Sequence, residues 1–424
     1  MSATTIKRRA LAGVGAAARH VPNDNAKLFA FIANPKVRSQ PWPLYQRLHA
    51  RGPVRSIRYE GVWLVASHQA VTTVLRHPTT SVDESLATGQ ESFDRTRPFS
   101  MLMERTLLFT DPPDHARLRR LVSRAFTPRT VERLQPWVEA LVDERLARLR
   151  PLGEADLLAD LALPMPVEVI CELLGIPDSE RAPILGWARD IAPRLDISLF
   201  RDEGKERRGD VAATGLATFL GELVADPARR DPEGLLAALV AVEEEGDRLD
   251  RDEVVALAAL LLVAGFETTA NVISNGVLAL LSAPDQLARV RDGAVAPATA
   301  AEELLRFAGP VQFTQRVLLE DLELAGQRLP ARTLVALLIG AANRDPLVFT
   351  DPDRLDVGRD PNPHLSFSSG IHHCLGAALA RLEIAVAVPK ILRELPDLRL
   401  AATPRWRDTF VLRGLAALPV RWRT

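Results

Sequence analysis

Apolar and polar positions recur with a helical period along most of this chain. Pro41 to Gly52 reads as a short helix. Strand-like Val54 to Tyr59, a turn at Glu60-Gly61 and Val62 to Ala66 then predict a hairpin. From there to about Phe307 the period is mainly helical, broken by Pro and Gly. Strand-like pieces return at Gln315 to Leu319, Leu322 to Leu324 and Leu334 to Ile339, with a further turn near Arg413-Gly414. The pattern predicts a mainly α body with a small, discontinuous β region. Two proline-rich stretches, Asp345 to Asp353 and Gly358 to Pro363, form a long irregular loop, and long loops tend to carry function. That loop leads to Phe367-Ser-Ser-Gly370-Ile-His372-His-Cys374-Leu-Gly376 and a helical segment from Ala377 to Leu392.

The longest helical run, Glu253 to Leu281, spans roughly 40 Å, enough to cross a whole domain. Leu257 to Ala264 is apolar, after which Gly265, Glu267, Thr268 and Thr269 interrupt it before Val272 to Leu281 resumes. An acid and two hydroxyls are costly in a buried helix unless they serve a site. A threonine can also bond the carbonyl one turn back and bend the helix, making room for a small ligand or water. A polar face turned to solvent is the competing reading.

Cys374 lies between Gly370 and Gly376 at a helix entrance. The amides of Leu375 and Gly376 and the positive end of the helix can supply the electropositive site that a buried thiolate needs. Gly370 permits a positive φ, and Gly376 lets a flat ligand approach the backbone. This describes an axial cysteine under a haem, against the ordinary reading of a packed thiol. Cys171, in the amphipathic Val167 to Gly175, reads as a packed core thiol.

Two charged patterns stand elsewhere. Glu303 and Arg306, three apart on the helix Ala298 to Phe307, would contribute only ~0.3 kcal/mol as an exposed pair. His115 and Arg119, one turn apart after Asp111-Pro-Pro-Asp, present two cations on one face and suit a carboxylate. A solvated basic helix is the alternative, since Arg117, Arg120 and Arg124 are also present.

With 424 residues, 47% of them hydrophobic, the chain can bury a large core, and no linker or repeat divides it. The expected organisation is an N-terminal arm, 1–40 and partly mobile, and a single domain, 41–424. A net charge of -1 offers no global field for nucleic acid or a membrane surface. Two cysteines cannot form a disulfide framework and fit a reducing cytoplasm. Lys7-Arg8-Arg9 before Ala10 to Ala18 has the outline of an export signal, but Arg19 and His20 close the Ala-rich stretch early, so a mobile arm is expected. No segment is expected to span a membrane.

The cysteine stretch resembles the cysteine loop of the cytochrome P-450 family, Phe-Gly-x-Gly-x-His-x-Cys-x-Gly in its bacterial form. Phe367, Gly370, His372, Cys374 and Gly376 match; Ser368 stands where Gly is usual and Ala378 where many members have Pro. The resemblance covers roughly residues 40 to 424, with the other motifs in the family's order. It implies the cytochrome P-450 fold, haem b as cofactor and Cys374 as iron ligand. His115, Arg119, Arg316 and His372 would contact the propionates, and Phe367, Gly376 and Ala264 would lie against the haem. Thr268 would hydrogen-bond dioxygen and Glu267 would feed it protons. Glu303 and Arg306 would form a buried structural ion pair, joined by an arginine of the proline-rich loop, Arg354 or Arg359.

The implied activity is a soluble monooxygenase that hydroxylates or epoxidises a hydrophobic small molecule. Its pocket would include Leu102 in the loop Thr88 to Leu102, Ala264, Val311, Phe313 and Val411 in the stretch Phe410 to Leu412. Electrons would come from a ferredoxin and its NAD(P)H-dependent reductase, docked near Arg117, Arg120 and Arg124. A peroxide-driven or non-monooxygenase haem-thiolate enzyme is the nearer alternative, disfavoured by the intact Glu267-Thr268 pair. A cysteine hydrolase is the more distant one, because His373 is adjacent to Cys374 and poorly placed to take its proton. A zinc site lacks a second pair of ligands.

Overall fold

Prolines in the first helical turn, where a missing N–H costs nothing, open many of the helices. They do so in α1 (Trp42–Ala50), α3 (Pro98–Met103), α5 (Pro128–Leu149), α6 (Pro164–Leu174), α11 (Pro284–Arg291) and α12 (Pro297–Ala308). The other principal helices are α2 (His68–Arg76), α4 (Asp114–Ala125), α7 (Ile184–Ile191), α8 (Glu203–Ala225), α9 (Leu235–Ala241), α10 (Arg251–Leu281) and α13 (Ala377–Glu394). The computed structural model describes residues 34–57, 62–89, 94–196, 203–244 and 246–424. The arm's Lys7-Arg8-Arg9 and Ala10 to Ala18, and the turn at Glu60-Gly61, therefore lie outside the described residues. The last part of the expected arm forms a short helix, Pro35–Ser39, capped by the Asn34 side chain.

Helix α10 is the axis of the molecule. Asp250 caps it, and Glu253 reaches back to the Asp250 amide in a reciprocal capping box, so the helix starts two residues earlier than the apolar pattern suggests. It is 31 residues long and packs against α6, α8, α12 and α13. By length and hydropathy alone it could cross a membrane, contrary to the expectation that no segment would. However, 72% of its most apolar window is buried within the protein, as befits a core helix.

The β region is discontinuous, as expected. Strands β1 (Val54–Ile57), β2 (Val62–Val65), β3 (Thr80–Ser81), β4 (Thr314–Leu318) and β5 (Leu334–Leu337) form one sheet in the order β1-β2-β5-β4-β3. All pairs are antiparallel except β2 with β5, which run parallel with Val335 opposite Trp63. Near the C-terminus β6 (Arg405–Trp406) and β7 (Leu415–Ala417) form a hairpin.

The Glu303 and Arg306 side chains are fully buried on α12. Arg306 donates Nε to Glu303 Oε2 at 2.7 Å and Nη2 to Oε1 at 2.8 Å, a bidentate pair. Glu303 also accepts from the Asp356 amide at 2.9 Å, Asn362 Nδ2 at 3.1 Å and Arg359 Nε at 3.2 Å. Arg306 spends its remaining donors on the carbonyls of Asn343, Pro352 and Arg354. Of the two arginines considered for the third position, Arg359 supplies its guanidinium and Arg354 only its carbonyl. The proline-rich loop is thus fastened to one carboxylate and one guanidinium.

Replacing Glu303 with Gln should strand a buried Arg306 and cost about 3–5 kcal/mol of stability. Thermal unfolding of the purified variant checks this, and a melting curve unchanged from the parent would contradict it.

Candidate active site

The loop before α13 is shaped by backbone constraints. Ser368 adopts φ +60 and Gly370 φ +72. The left-handed conformation at Ser368 explains why glycine is usual there, and serine carries a strain cost of about 1 kcal/mol. A Cβ on Gly370 would come within 2.4 Å of the Leu75 carbonyl oxygen, which excludes any other residue without movement of α2. The Cys374 amide closes the loop by donating to the Phe367 carbonyl at 2.9 Å.

The Gly376 amide hydrogen-bonds the Cys374 thiol and, with Arg119 and Arg381, pulls its pKa down. Desolvation by the surrounding protein outweighs them and pushes it up. Cys374 nonetheless reaches the accessible surface, whereas the sequence suggested burial. Apart from Gly376 and the adjoining chain, no atom lies within 4 Å of where its Cβ would stand, so this face of the backbone meets open space. Cys171 is a core thiol, with burial pushing it up to about 12.

The Phe367 ring lies 4.6 Å from the Arg381 guanidinium. Arg381 in turn donates Nε to Glu302 at 2.6 Å, and His364 Nε2 lies 3.1 Å from the same carboxylate. Burial raises the Glu302 pKa, but the bonds to His364 and Arg381 more than offset this and hold it at about 2. Glu302 was not singled out from sequence; its position beside Glu303 was the available signal.

Four nitrogen-rich side chains converge beside this loop. The His115 and His372 rings, from α4 and the loop, stand 4.3 Å apart, and His115 Nε2 is buried without a partner. Arg316, on β4, is 5% exposed and donates to the adjacent Gln315 carbonyl at 2.7 Å. Arg119 donates to the His373 carbonyl at 2.8 Å. Burial, then Arg316 and His115, press His372 down to about 3, and burial brings Arg316 down to about 10. His115 is likewise lowered by burial and by Arg119. Asp111 is the acid opposing His115 and Arg316, and it already accepts from Ser81 Oγ and, at 3.1 Å, the Val82 amide. The cluster has more positive capacity than its acid balances, which suits anionic groups on a bound molecule.

Within the otherwise buried middle of α10, residues Leu260, Leu261, Ala264, Gly265 and Thr268 are partly accessible. Their spacing puts them on one face. The Thr268 hydroxyl donates to the Ala264 carbonyl at 2.8 Å, as expected for a threonine that bonds one turn back. Glu267 lies off this face, 5% exposed, and is paired with Arg407 of the C-terminal hairpin. Nothing in the sequence linked these residues, which are 140 positions apart.

The pocket residues divide into two groups. Val311 forms a β-bridge with Leu412, and the Phe313 and Phe410 rings stand 4.9 Å apart beside Val411. Leu102 instead belongs to the main core along α10. The arginines expected at the docking face also make pairs within the protein: Arg117 is paired with Glu253 at the start of α10, and Arg120 lies 3.5 Å from Asp247, while the Arg120 side chain stays 47% exposed.

A sequence model of the cytochrome P450 family matches residues 215–293 and 299–396. The PikC cytochrome P450 monooxygenase of Streptomyces venezuelae is 40% identical, covering 91% of this chain and 92% of that protein. The vitamin D(3) 25-hydroxylase of Pseudonocardia autotrophica is 38% identical, covering 90% of this chain and 93% of that protein. The crystal structure of P450BioI in complex with a hexadec-9Z-enoic acid-ligated acyl carrier protein superposes with a TM-score of 0.85 at 35% identity. That match covers 92% of this chain and 99% of the neighbour. The chain belongs to the cytochrome P450 family. It is a monooxygenase, an oxidoreductase that uses haem b, and its fold is the cytochrome P450 fold. The residues described above fit that group: an unpartnered buried imidazole in a cationic cluster suits the porphyrin carboxylates, and a thiol at a helix entrance suits the iron.

The Glu302 network has a pH signature. Because the folded-state pKa lies below the ordinary 4.5, its contribution is fully present above pH 4.5 and fades as pH falls toward about 2. Glu302→Gln should be less stable than the parent by on the order of 2 kcal/mol at pH 7, with the gap narrowing below pH 4.5. Denaturant unfolding across that range checks it; a gap independent of pH would contradict the assignment.

Proposed function

We propose that Cys374 ligates the haem iron and that Thr268 and Glu267 manage protons in a reaction on a hydrophobic small molecule. One atom of dioxygen is inserted, by hydroxylation or epoxidation, and the other leaves as water. The observation that carries this reading is the convergence beside Cys374 of the Arg119 and Arg316 guanidiniums with the His115 and His372 imidazoles, opposed by the single acid Asp111 named above. Haem held by these residues would supply the redox centre for dioxygen chemistry, with the Cys374 thiolate donating electron density to it.

The chain's own residues supply position, charge and protons. His115, Arg119, Arg316 and His372 would hold the two porphyrin carboxylates, and the Gly376 amide tempers the charge on the Cys374 sulfur. Phe367 and Ala264 would lie against the ring. Thr268 sits on the accessible face of α10, where its hydroxyl oxygen has lone pairs free to hold a water or accept a proton donor. Glu267 reaches toward solvent through its pair with Arg407, whose side chain is 27% exposed. Release of the carboxylate from Arg407 frees it to carry a proton inward.

Ala264, Val311, Phe313 and Val411 would supply an apolar lining, backed by Leu102 from the core, which suits a lipid, terpenoid, steroid or polyketide. A vitamin D(3) hydroxylase among the relatives supports a substrate of this kind. The chain's two cysteines cannot make a ferredoxin-type cluster, so electrons come from a separate ferredoxin and its NAD(P)H-dependent reductase, in the cytoplasm.

Thr268→Ala should bind substrate and accept electrons normally while product per electron falls on the order of tenfold and peroxide rises. Glu267→Gln should slow oxygen consumption itself. Product, peroxide and NAD(P)H measured together check both. An unchanged ratio of product to electrons in Thr268→Ala would leave Thr268 a helix-bending residue only.

A further inference from the structure

The pocket-lining segment after the β6 strand is gripped along both edges. On one side it adds to the chain that follows α12. Gln312 donates its amide to the Val411 carbonyl at 2.9 Å, Arg413 donates to the Pro310 carbonyl at 2.8 Å, and Val311 bridges Leu412. On the other side the amides of Phe410 and Val411 both donate to Asp196, at 3.1 Å and 2.9 Å. Asp196 is 7% exposed, so these are charge-assisted bonds in a dry setting.

Asp196 follows α7 and sits two residues from Arg194, which is 2% exposed. Arg194 lies 3.7 Å from Glu206 and 3.5 Å from Asp210, both on α8, and its guanidinium stands 5.0 Å from the Phe99 ring of α3. Arg97, at the start of α3, joins the same two acids at 2.7 Å. Helices α3, α7 and α8 therefore share one ionic knot. Asp196 attaches that knot to the wall of the pocket, across 214 residues of sequence.

We infer that Asp196 is a specificity-determining positioning residue. It fixes Phe410 and Val411 against the substrate and couples the shape of that wall to the packing of α3, α7 and α8. Because the Phe410 ring packs on Phe313 at 4.9 Å, any slackening of the amide grip moves an aromatic part of the wall as well. The inference rests on the placement of the substrate pocket proposed above.

The test uses haem-loaded protein carrying Asp196→Ala and Asp196→Asn, the latter retaining one neutral acceptor in case the alanine variant does not fold. Amide hydrogen exchange over 408–413 reads the tether. Soret titrations with imidazole, 4-phenylimidazole and econazole read the pocket, since only the bulkier azoles reach its wall. Asp196→Ala should raise exchange in the segment by about tenfold and weaken azole binding progressively with bulk. Imidazole should change by less than about twofold and econazole by about tenfold, with Asp196→Asn between the parent and Ala. Unchanged exchange would overturn the tether. Faster exchange with unaltered econazole binding, or equal weakening of all three azoles, would overturn the specificity role. Failure of imidazole to shift the Soret band of the unmodified protein would instead sink the haem-ligand reading, with the exchange data still deciding the tether.

Discussion

One carboxylate, that of Glu303, holds together the segments on which the site depends. With Arg306 it is wholly buried, where a lone charge would be prohibitively expensive, so every donor and acceptor around it must be matched. The match is made by Arg359, Asn362 and the Asp356 amide on one side and by the carbonyls of Asn343, Pro352 and Arg354 on the other. These groups belong to an irregular stretch that has little secondary structure of its own. It runs directly into the cysteine loop, so the position of Cys374 relative to α10 is inherited from the Glu303–Arg306 pair.

The neighbouring Glu302 extends the same principle to the loop itself. Through Arg381 it reaches α13, and through Arg381 it also steadies Phe367. Two adjacent acids on α12 therefore do different work: one locks the approach to the cysteine loop, and the other braces the loop against the helix that follows it. The cationic cluster of His115, Arg119, Arg316 and His372 is assembled from α4, β4 and the loop. Burial first, and then the neighbouring positive groups, depress the affinity of His115 and His372 for protons, which suits a site built for anions.

Much of this was legible in the sequence because its signals are local. The polar break in α10, the cysteine bracketed by glycines and the His115–Arg119 spacing each occupy a few residues and carry their geometry with them. Helix and strand limits agree with the periodicity to within a residue or two, as at Pro297–Ala308 and Thr314–Leu318. What was missed depends on contacts between distant residues. Glu267 was identified, but its partner Arg407 sits on a hairpin that no pattern ties to α10. Asp196 gave no signal at all, since a single acid near a helix end is ordinary until the amides of Phe410 and Val411 fold onto it. The partners of Arg117 and Arg120 were hidden for the same reason: a basic helix face looks unpaired in sequence until Glu253 and Asp247 are seen beside it.

The central claim is that Cys374 is the sole cysteine that binds iron, and the carbon-monoxide complex of the reduced protein tests it most directly. The unmodified protein and Cys171→Ala should both show the red-shifted Soret band of thiolate ligation, and Cys374→Ser should lose it. A normal band in Cys374→Ser, or its absence from the unmodified protein, would contradict the account.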